Sequence, residues 1–588
     1  MILQALIDYY DEMLKQGRIT PPGWEQAKIS YILNIDENGT LKSIENVTEK
    51  MLLKKRVINQ PKKITLPAAY KRTSGTKANF LWDNAVYMLG ISKDGNAERA
   101  EKCFRASAKM HSELLGPIDS ECAKAICAFF DKWTPGDLKV CAEMLGVEEE
   151  QVEKNFAIVN LTFRVNEKAP EEDPKIREAW EQYNGADEST KESVKMQSLI
   201  TGKEEIISAV HPSIKGVKNA QSSGAALVSF NANAFCSYGH SQGYNAPIGE
   251  SSVTAYTMAL NSLLADYQYT KIIGNATTVY WSENAEPVYQ EFAKAAFFGD
   301  SGSRFSEKFL PIMEQLANGI YCDPYDLDPD QTFYILGLSP NASRLSVRFF
   351  IHEKFGKIAK NLLEHYNRCV INNSTLERSP LFLWKILQET IDLRVSNATP
   401  NPLMAGALAR ALFMGEEYPA YTKTCIMMQI QKSDTVTYQK AAFLRGYYLK
   451  NKAENIQKEV LDMTLNKESN DPGYLLGRLF AVYEQAQTAS HGIYSSGKGC
   501  YFRSAAATPE RTFSILGDRY QRAIKKLAPG YRNYFENLVA ELKSKLEAYP
   551  KQLSIEEQAA FDLGYYHQKQ ENYKRNNNDT EEDKNGTD

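Results

Sequence analysis

Three short spacings in this chain bring together residue types capable of catalysis, and each lacks a partner that the chemistry needs. Ser74-Gly75-Thr76-Lys77 has the serine–lysine spacing of penicillin-interacting enzymes, but no convincing companion Ser-Asp-Asn or Lys-Thr-Gly appears. Gly299-Asp300-Ser301-Gly302 mimics the loop around a protease serine. It lies between helical segments, whereas that chemistry needs a paired histidine and aspartate on a rigid scaffold. Cys236 and His240 stand four apart, but two ligands do not make a zinc site, and His240 reads as a hydrogen-bonding member of a polar loop. The chain has no Gly-x-x-x-x-Gly-Lys-Ser/Thr phosphate loop and no His-Glu-x-x-His helix. Seven histidines without a convergent acidic cluster leave a metal-dependent nuclease short of ligands. No catalytic residue, metal or cofactor is therefore expected; the residue types point to binding.

The most distinctive binding chemistry lies between Val228 and Thr254. A short apolar strand, Ala226 to Phe230, is expected to run into some twenty residues of Asn, Ser, Gln, Gly and Tyr, with a helix starting near Ser251. Such a loop buries little apolar area, so its ordering must be repaid by hydrogen bonds or by a partner. Between Ile206 and Gly249 there is no Asp or Glu. Amide side chains, aromatic rings and flexible backbone without negative charge suit a polyanion whose bases are read or stacked upon. A second stretch has the same bias. From Lys50 to Trp82 there are nine basic residues and no acidic one: Lys50, Lys54, Lys55, Arg56, Lys62, Lys63, Lys71, Arg72 and Lys77. A merely solvated face mixes both signs. If several of these meet phosphates, affinity falls with salt by a log–log slope of about −0.9 per phosphate neutralised.

The elements that must position these stretches follow from pattern and length. A chain of 588 residues exceeds what one hydrophobic core supports, so roughly two to four domains are expected. Nine scattered cysteines, none in a CxxC pair, indicate buried thiols in a reducing compartment. Leu3, Leu6, Ile7, Tyr10 and Leu14 share one helical face near the start, which argues against a signal peptide, and no apolar run approaches a membrane span. A cytoplasmic location without membrane contact is expected. The net charge of −4 does not favour a protein that coats nucleic acid by itself; local charge matters more.

The fold class expected is α+β. Lys28 to Asp36 alternates through Ile29, Tyr31, Leu33 and Ile35, turns at Asn38-Gly39 and returns as Leu41 to Val47. Helices follow over 97–115, 120–133 and 135–145, another after Val147, then a strand over 156–165 and at most one helix between Glu167 and Ser193. Thr332 to Leu338 and Arg344 to Phe350 form a second hairpin. On its return strand Leu345, Val347 and Phe349 share one face while Arg344, Ser346 and Arg348 share the other. Those arginines could grip a phosphate backbone or pair with internal carboxylates. Beyond 350 the pattern is helical, ending in helices over 475–487, 511–527, 531–546 and 554–568 that suit a four-helix bundle. Arg519, Arg522 and Lys526 give its second helix a basic stripe. The expected division is an α+β region over 1–350 with a helical insertion near 96–155, a helical connection over 351–462, the bundle over 463–570, and a disordered polar tail over 571–588.

Several blocks carry a family resemblance. They are Met1-Ile2-Leu3-Gln4-Ala5-Leu6, Ile19-Thr20-Pro21-Pro22-Gly23, the run from Lys71 to Asn84, the polar loop from Val228, the run from Phe333 to Phe350, and Tyr474 to Val482. In that order, and over residues 1 to about 565, the chain resembles the large subunit of the subtype I-C CRISPR Cascade complex, the Csd family. The resemblance implies a non-catalytic subunit at the foot of a guide-RNA ribonucleoprotein. Such a subunit inspects double-stranded DNA for the short motif beside the target, begins strand separation and R-loop formation, and helps hold the displaced strand. It also presents the complex to a helicase-nuclease recruited in trans. Its other partners are the guide RNA, the backbone and guide-end subunits, and a small subunit made from the same gene by internal translation. For the small subunit Met463 is a candidate start, with Met427, Met428 and a non-Met codon as alternatives. Base pairing reads the long target while protein reads only the flank, as in other RNA-guided effectors.

Under that reading Lys54, Lys55, Arg56, Lys62 and Lys63 belong to the stretch that supplies positioning phosphate contacts, and Ser74 and Gly75 let backbone approach a groove. Lys71, Arg72, Lys77, Asn79, Asn231, Asn233, Gln242 and Asn245 have donors for base edges, and Ser237 belongs to the same loop. Two or three bidentate contacts of about 1–3 kcal/mol each would discriminate a three-base motif. Phe80, Tyr238 and Tyr244 are candidates to wedge or stack, with core packing favoured for Phe80 and exposure for the two tyrosines. Arg519, Arg522 and Lys526 could track the displaced strand. Two competing readings remain: a structural subunit that caps the guide RNA without reading DNA, and a helical scaffold with a cryptic serine hydrolase site at Ser74 or Ser251.

Overall fold

The stretch whose alternation predicts one strand up to Asp36 is divided at Ser30. Trp24–Ile29 pairs antiparallel with Lys62–Pro67, while Tyr31–Ile35 pairs antiparallel with Leu41–Asn46 and parallel with Asn160–Val165. Ser30 satisfies both neighbours at the bend: its N–H donates to Asn160 O at 3.0 Å and its carbonyl accepts from Val47 N–H at 3.0 Å. The turn at Asn38-Gly39 forms where its chemistry requires. One Asp36 carboxylate oxygen accepts from the N–H groups of Asn38 and Thr40, and the other pairs with Lys42 at 2.9 Å. The Thr40 N–H and then Lys42 hold that carboxyl down at about 2. Gly39 sits at φ +78°, and a Cβ there would lie 2.3 Å from Phe129 N.

The computed structural model describes residues 2–53, 56–70, 76–92, 95–188, 194–266, 268–372, 380–392, 394–451, 456–491 and 501–585. They form two units, one of Tyr10–Ser208 with Ala246–Thr254, the other of Met1–Tyr9, Ala209–Asn245 and Ala255–Asp588. In the first unit a four-stranded sheet runs in the order Leu41–Asn46, Tyr31–Ile35, Asn160–Val165, Trp82–Asn84. Helices Ala97–Leu115, Glu121–Lys132 and Leu138–Leu145 start on side-chain caps from Asn96, Ser120 and Asp137, which accept otherwise orphaned N–H groups. Phe104, Phe129, Phe130, Phe163 and Trp180 form the aromatic centre of its core.

The second unit is built on an antiparallel meander, Thr270–Ile273, Ala276–Ser282, Thr332–Asn341 and Arg344–Lys354. A register shift between Gly337 and Leu338 leaves Arg348 unpaired in the ladder, so Phe349 faces the opposite side from Leu345 and Val347, and Val347 is 42% exposed; the three do not share one face. Helices follow, and one hydrophobic core runs continuously from this sheet to the last helix. Helices Pro472–His491 and Ile555–Asn585 approach backbone to backbone: a Cβ at Gly477 would stand 2.0 Å from Phe561 O, and one at Gly564 would stand 2.2 Å from Tyr474 O. Helices Pro509–Ile524 and Pro529–Ser544 complete the bundle, with the short Phe502–Ala507 added. The last helix runs on through residues 571–585, where a disordered tail is expected from composition. Asn572 is buried and its side-chain oxygen accepts from Gln568 Nε2 at 3.0 Å, one helical turn away. Among the described residues no helix is long and apolar enough to cross a membrane.

Candidate nucleic-acid interface

In the second unit, the strand expected at Ala226–Phe230 does not form. Arg344–Lys354 is an edge strand of the meander, and Ala226 alone bridges its free edge: Ala226 N–H donates to Ser343 O at 3.0 Å and Leu345 N–H to Ala226 O at 2.9 Å. Leu227 to Phe230 then stand half-buried beside the hairpin tip and, with Asn341, Arg344 and Leu345, line a cleft of about 320 Å³.

The polar loop beyond it is held by its own side chains. Asn245 Oδ1 accepts from Ser237 N–H at 2.8 Å, and its Nδ2 donates to the carbonyls of His240 and Gln242 at 3.2 and 3.0 Å. Asn245 therefore ties the loop together instead of offering a free base-edge donor, because each of its amide atoms is already used. Around this staple Tyr238 and Gln242 adopt φ of 53° and 46°, with Gly239 at 74° between them. Left-handed backbone at non-glycine positions costs energy that the surrounding bonds must offset. The result displays Tyr238, 96% exposed, at the surface. Tyr244 is half-buried, so only one of the two expected tyrosines stands clear of the protein. Asn231, Asn233, Ser237 and Gln242 are exposed, with Asn231 Nδ2 donating to Ser343 Oγ at 3.4 Å.

One contact here has no counterpart in the sequence pattern. The Arg344 guanidinium lies 4.3 Å over the ring of Phe235, which is 39% exposed. The only local signal is an aromatic residue amid asparagines; its partner comes from a distant hairpin. Arg348 donates to Ser339 Oγ at 2.5 Å, so the two arginines have separate roles.

In the first unit, Asn79 is corrected from a solvent-facing donor to a buried anchor, 5% exposed. Its side-chain oxygen accepts from Tyr70 N–H at 3.1 Å, and its own N–H donates to Asp83 Oδ2 at 3.0 Å. Next to it Leu81, at φ 64°, donates its N–H to His111 Nε2 at 2.9 Å. His111 Nδ1 bonds Ser107 O at 2.8 Å, which makes Nδ1 the protonated nitrogen, and burial pushes its pKa down to about 4. Phe80 stacks on Trp180 in the core, with ring centroids 5.4 Å apart, and is not a wedge. Tyr70 and residues 76–84 are thus anchored to the core. Lys71, Arg72, Ser74 and Gly75 lie outside the described residues, as do Lys54 and Lys55; of Arg56 only the strand is described. The Lys77 ammonium lies 3.7 Å over the Tyr70 ring and the residue is exposed.

Lys62 and Lys63 are exposed at the start of their strand, and Lys63 stands directly opposite the exposed Lys28 on Trp24–Ile29. Like charges in that cross-strand relation cost stability, a cost that a bound anion would reverse. In the bundle, Arg519 packs 4.5 Å over Tyr501 and donates to its hydroxyl at 3.0 Å. Arg522 is exposed on the same helix, while Lys526 lies two residues past its end, so the stripe spans a helix and the turn after it.

The catalytic look-alikes are placed too. Asp300 pairs with Lys271 at 2.6 Å and caps Gly302 N–H, so the carboxylate beside Ser301 is tied to an ammonium. Ser74 lies outside the described residues, and Ser251 is exposed in the helix Glu250–Ala265. Among the described residues no three His, Cys, Asp or Glu side chains are grouped to hold a metal ion.

The model of the family described as CRISPR-associated protein (Cas_Csd1) matches residues 6–573. No curated protein was found to match. By that match, which spans nearly its whole length, the chain belongs to the CRISPR-associated Csd family and is a large subunit of Cascade.

Proposed function

We propose that this subunit reads the short motif flanking the target in double-stranded DNA, promotes strand separation and R-loop formation, and helps recruit the helicase-nuclease. The observation that carries the reading is the pair of acid-poor segments, each with described residues tied down by hydrogen bonds or packing. One is the loop of Ile207–Gly249, stapled by Asn245 and displaying Tyr238. The other is the basic stretch whose root is anchored on His111, Asp83 and Trp180. Positioned phosphate contacts and a rigid base-reading element are what flank recognition requires. Lys28, Lys62, Lys63 and Lys77 supply the sequence-independent part; Lys71 and Arg72, together with Asn231, Asn233 and Gln242, supply donors for base edges. The bundle, with Arg519, Arg522 and Lys526, tracks the displaced strand. The same bundle made separately from a start at Met463 serves as the small subunit. The subunit works within the cytoplasmic guide-RNA complex, beside the backbone and guide-end subunits, and carries out no catalysis itself.

The test is to neutralise Lys71, Arg72 and Lys77 together and assemble the complex. Normal assembly with lost target binding supports DNA reading. Failed assembly would transfer the basic stretch to the guide RNA and favour a structural cap. Turnover abolished by Ser74→Ala or Ser251→Ala with DNA binding intact would instead favour the cryptic hydrolase.

A further inference from the structure

The cleft beside the hairpin tip is not used by the recognition of duplex DNA described above, and its construction suits a different ligand. Its walls are the half-buried run Leu227–Phe230 on one side and Asn341, Arg344 and Leu345 on the other. The lining thus combines apolar residues with Ser229, Asn341 and Arg344. At about 320 Å³ it lies at the small end of the range of ligand pockets, of the size for one planar heterocycle.

Arg344 gives the cleft its specificity. Its backbone is tied by the bridge to Ala226, and its guanidinium carbon lies over the Phe235 ring, 4.3 Å from the centroid. Arginine stacked on an aromatic ring is pre-organised, so little side-chain freedom is left to lose when a second planar group meets it. Tyr238, on the same loop, adds an exposed ring. No acidic residue occurs from Ile207 to Gly249, or from Gln331 to His352 on the hairpin. A cationic peptide therefore finds no counter-charge on these segments, whereas a phosphodiester meets none that repels it. Splayed bases of single strands are held by arginine planes and aromatic rings in this way.

We propose that this cleft seats one unpaired nucleobase of a single-stranded nucleic acid, with Arg344 on Phe235 as the stacking platform and Ser229 and Asn341 as the polar groups at its edge. The proposal rests on the reading of the Ile207–Gly249 loop as a nucleic-acid surface, and it adds a capture site for a single base once strands have parted. The displaced DNA strand and the guide RNA present the same chemistry, and the test separates them.

The experiment uses the full chain and single-stranded oligonucleotides carrying 2-aminopurine, one set DNA and one set RNA, read by fluorescence quenching and by affinity. Wild-type chain is expected to quench the probe. Arg344→Ala and Phe235→Ala should each weaken binding by roughly five- to a hundred-fold, the range for losing one base stack, and abolish quenching. Arg344→Lys restores charge without the plane and should recover affinity only in part, with quenching still lost. Stronger capture of DNA assigns the site to the displaced strand, and stronger capture of RNA assigns it to the guide. Circular dichroism confirms that each variant is folded; Tyr238→Ala, at a fully displayed side chain, is the variant that cannot fail for lack of packing and should weaken binding severalfold. Arg344→Lys indistinguishable from wild type in affinity and quenching would overturn the proposal in favour of plain electrostatics. Unchanged binding by all four variants would overturn it outright. A complex that quenches normally but shows no flank preference would remove the duplex reading and leave this site standing.

Discussion

Two asparagines, Asn79 and Asn245, sit in the two polar segments most suited to nucleic acid, and both hold protein backbone. They do so in different ways. Asn79 is buried at the foot of its segment, tied to Tyr70 and Asp83 and flanked by the bond from Leu81 to buried His111. Asn245 is half-exposed within its loop, where one amide gathers three backbone groups of the loop itself. The first segment is anchored to a core and the second to itself. A segment anchored to a core fails together with that core, whereas a self-stapled loop can lose its shape while the unit beneath it stays folded.

The largest expected effect is at the core-anchored root. His111→Ala removes a buried aromatic contact and orphans the Leu81 N–H, and should cost roughly 3–5 kcal/mol, read as a loss of thermal stability. A denaturation series against pH sharpens this. Burial holds folded His111 at about 4, below its ordinary 6.5. Its contribution is therefore fully present above pH 6.5 and is lost as pH falls through about 4, up to roughly 3 kcal/mol in all. His111→Gln, neutral throughout and still able to accept the Leu81 N–H, should show a shallower acid loss than wild type over that window. An identical pH profile would contradict the neutral, accepting histidine.

Next comes Asn79→Ala, expected to cost about 1–3 kcal/mol of stability through the orphaned Tyr70 N–H, with weaker DNA binding as a consequence. Asn245→Ala should reverse that balance. Global stability falls by only about 1 kcal/mol, while target binding falls more steeply because the loop no longer displays Tyr238. If both variants lost stability and binding in equal proportion, the contrast between the two anchors would be broken. The smallest effect is at Lys77→Ala: stability down by at most about 1 kcal/mol through the lost contact with the Tyr70 ring, affinity down severalfold, and the log–log salt slope reduced by about 0.9 if the ammonium meets one phosphate.

What could be read from the sequence depended on how local the cause was. The Asn38-Gly39 turn and the helices capped by Asn96, Ser120 and Asp137 were legible because neighbouring residues decide them. The strand expected at Ala226–Phe230 was not. Apolar content suggests extension, but a strand needs a free partner edge, and this one finds it for a single residue. The tail beyond 571 looks unable to fold by composition, yet it continues a helix whose preceding turns are buried. At the site, the absence of acidic residues was visible as charge along the chain. The stack of Arg344 on Phe235 was not, since its partner comes from far along the chain; nor was the burial of Asn79, whose partners Tyr70 and Asp83 are near in sequence but which only packing hides from solvent. Polar residues in a polar run look alike in sequence; only packing decides which of them hold the loop and which face outward.

The most direct test of the central claim is binding of matched duplex targets flanked by a randomised three-base library to the guide-RNA complex, assembled with and without this chain. The account predicts enrichment of a restricted set of flanks only when the chain is present. Equal binding by both complexes with no flank preference would contradict it and leave a subunit that caps the guide RNA without reading DNA.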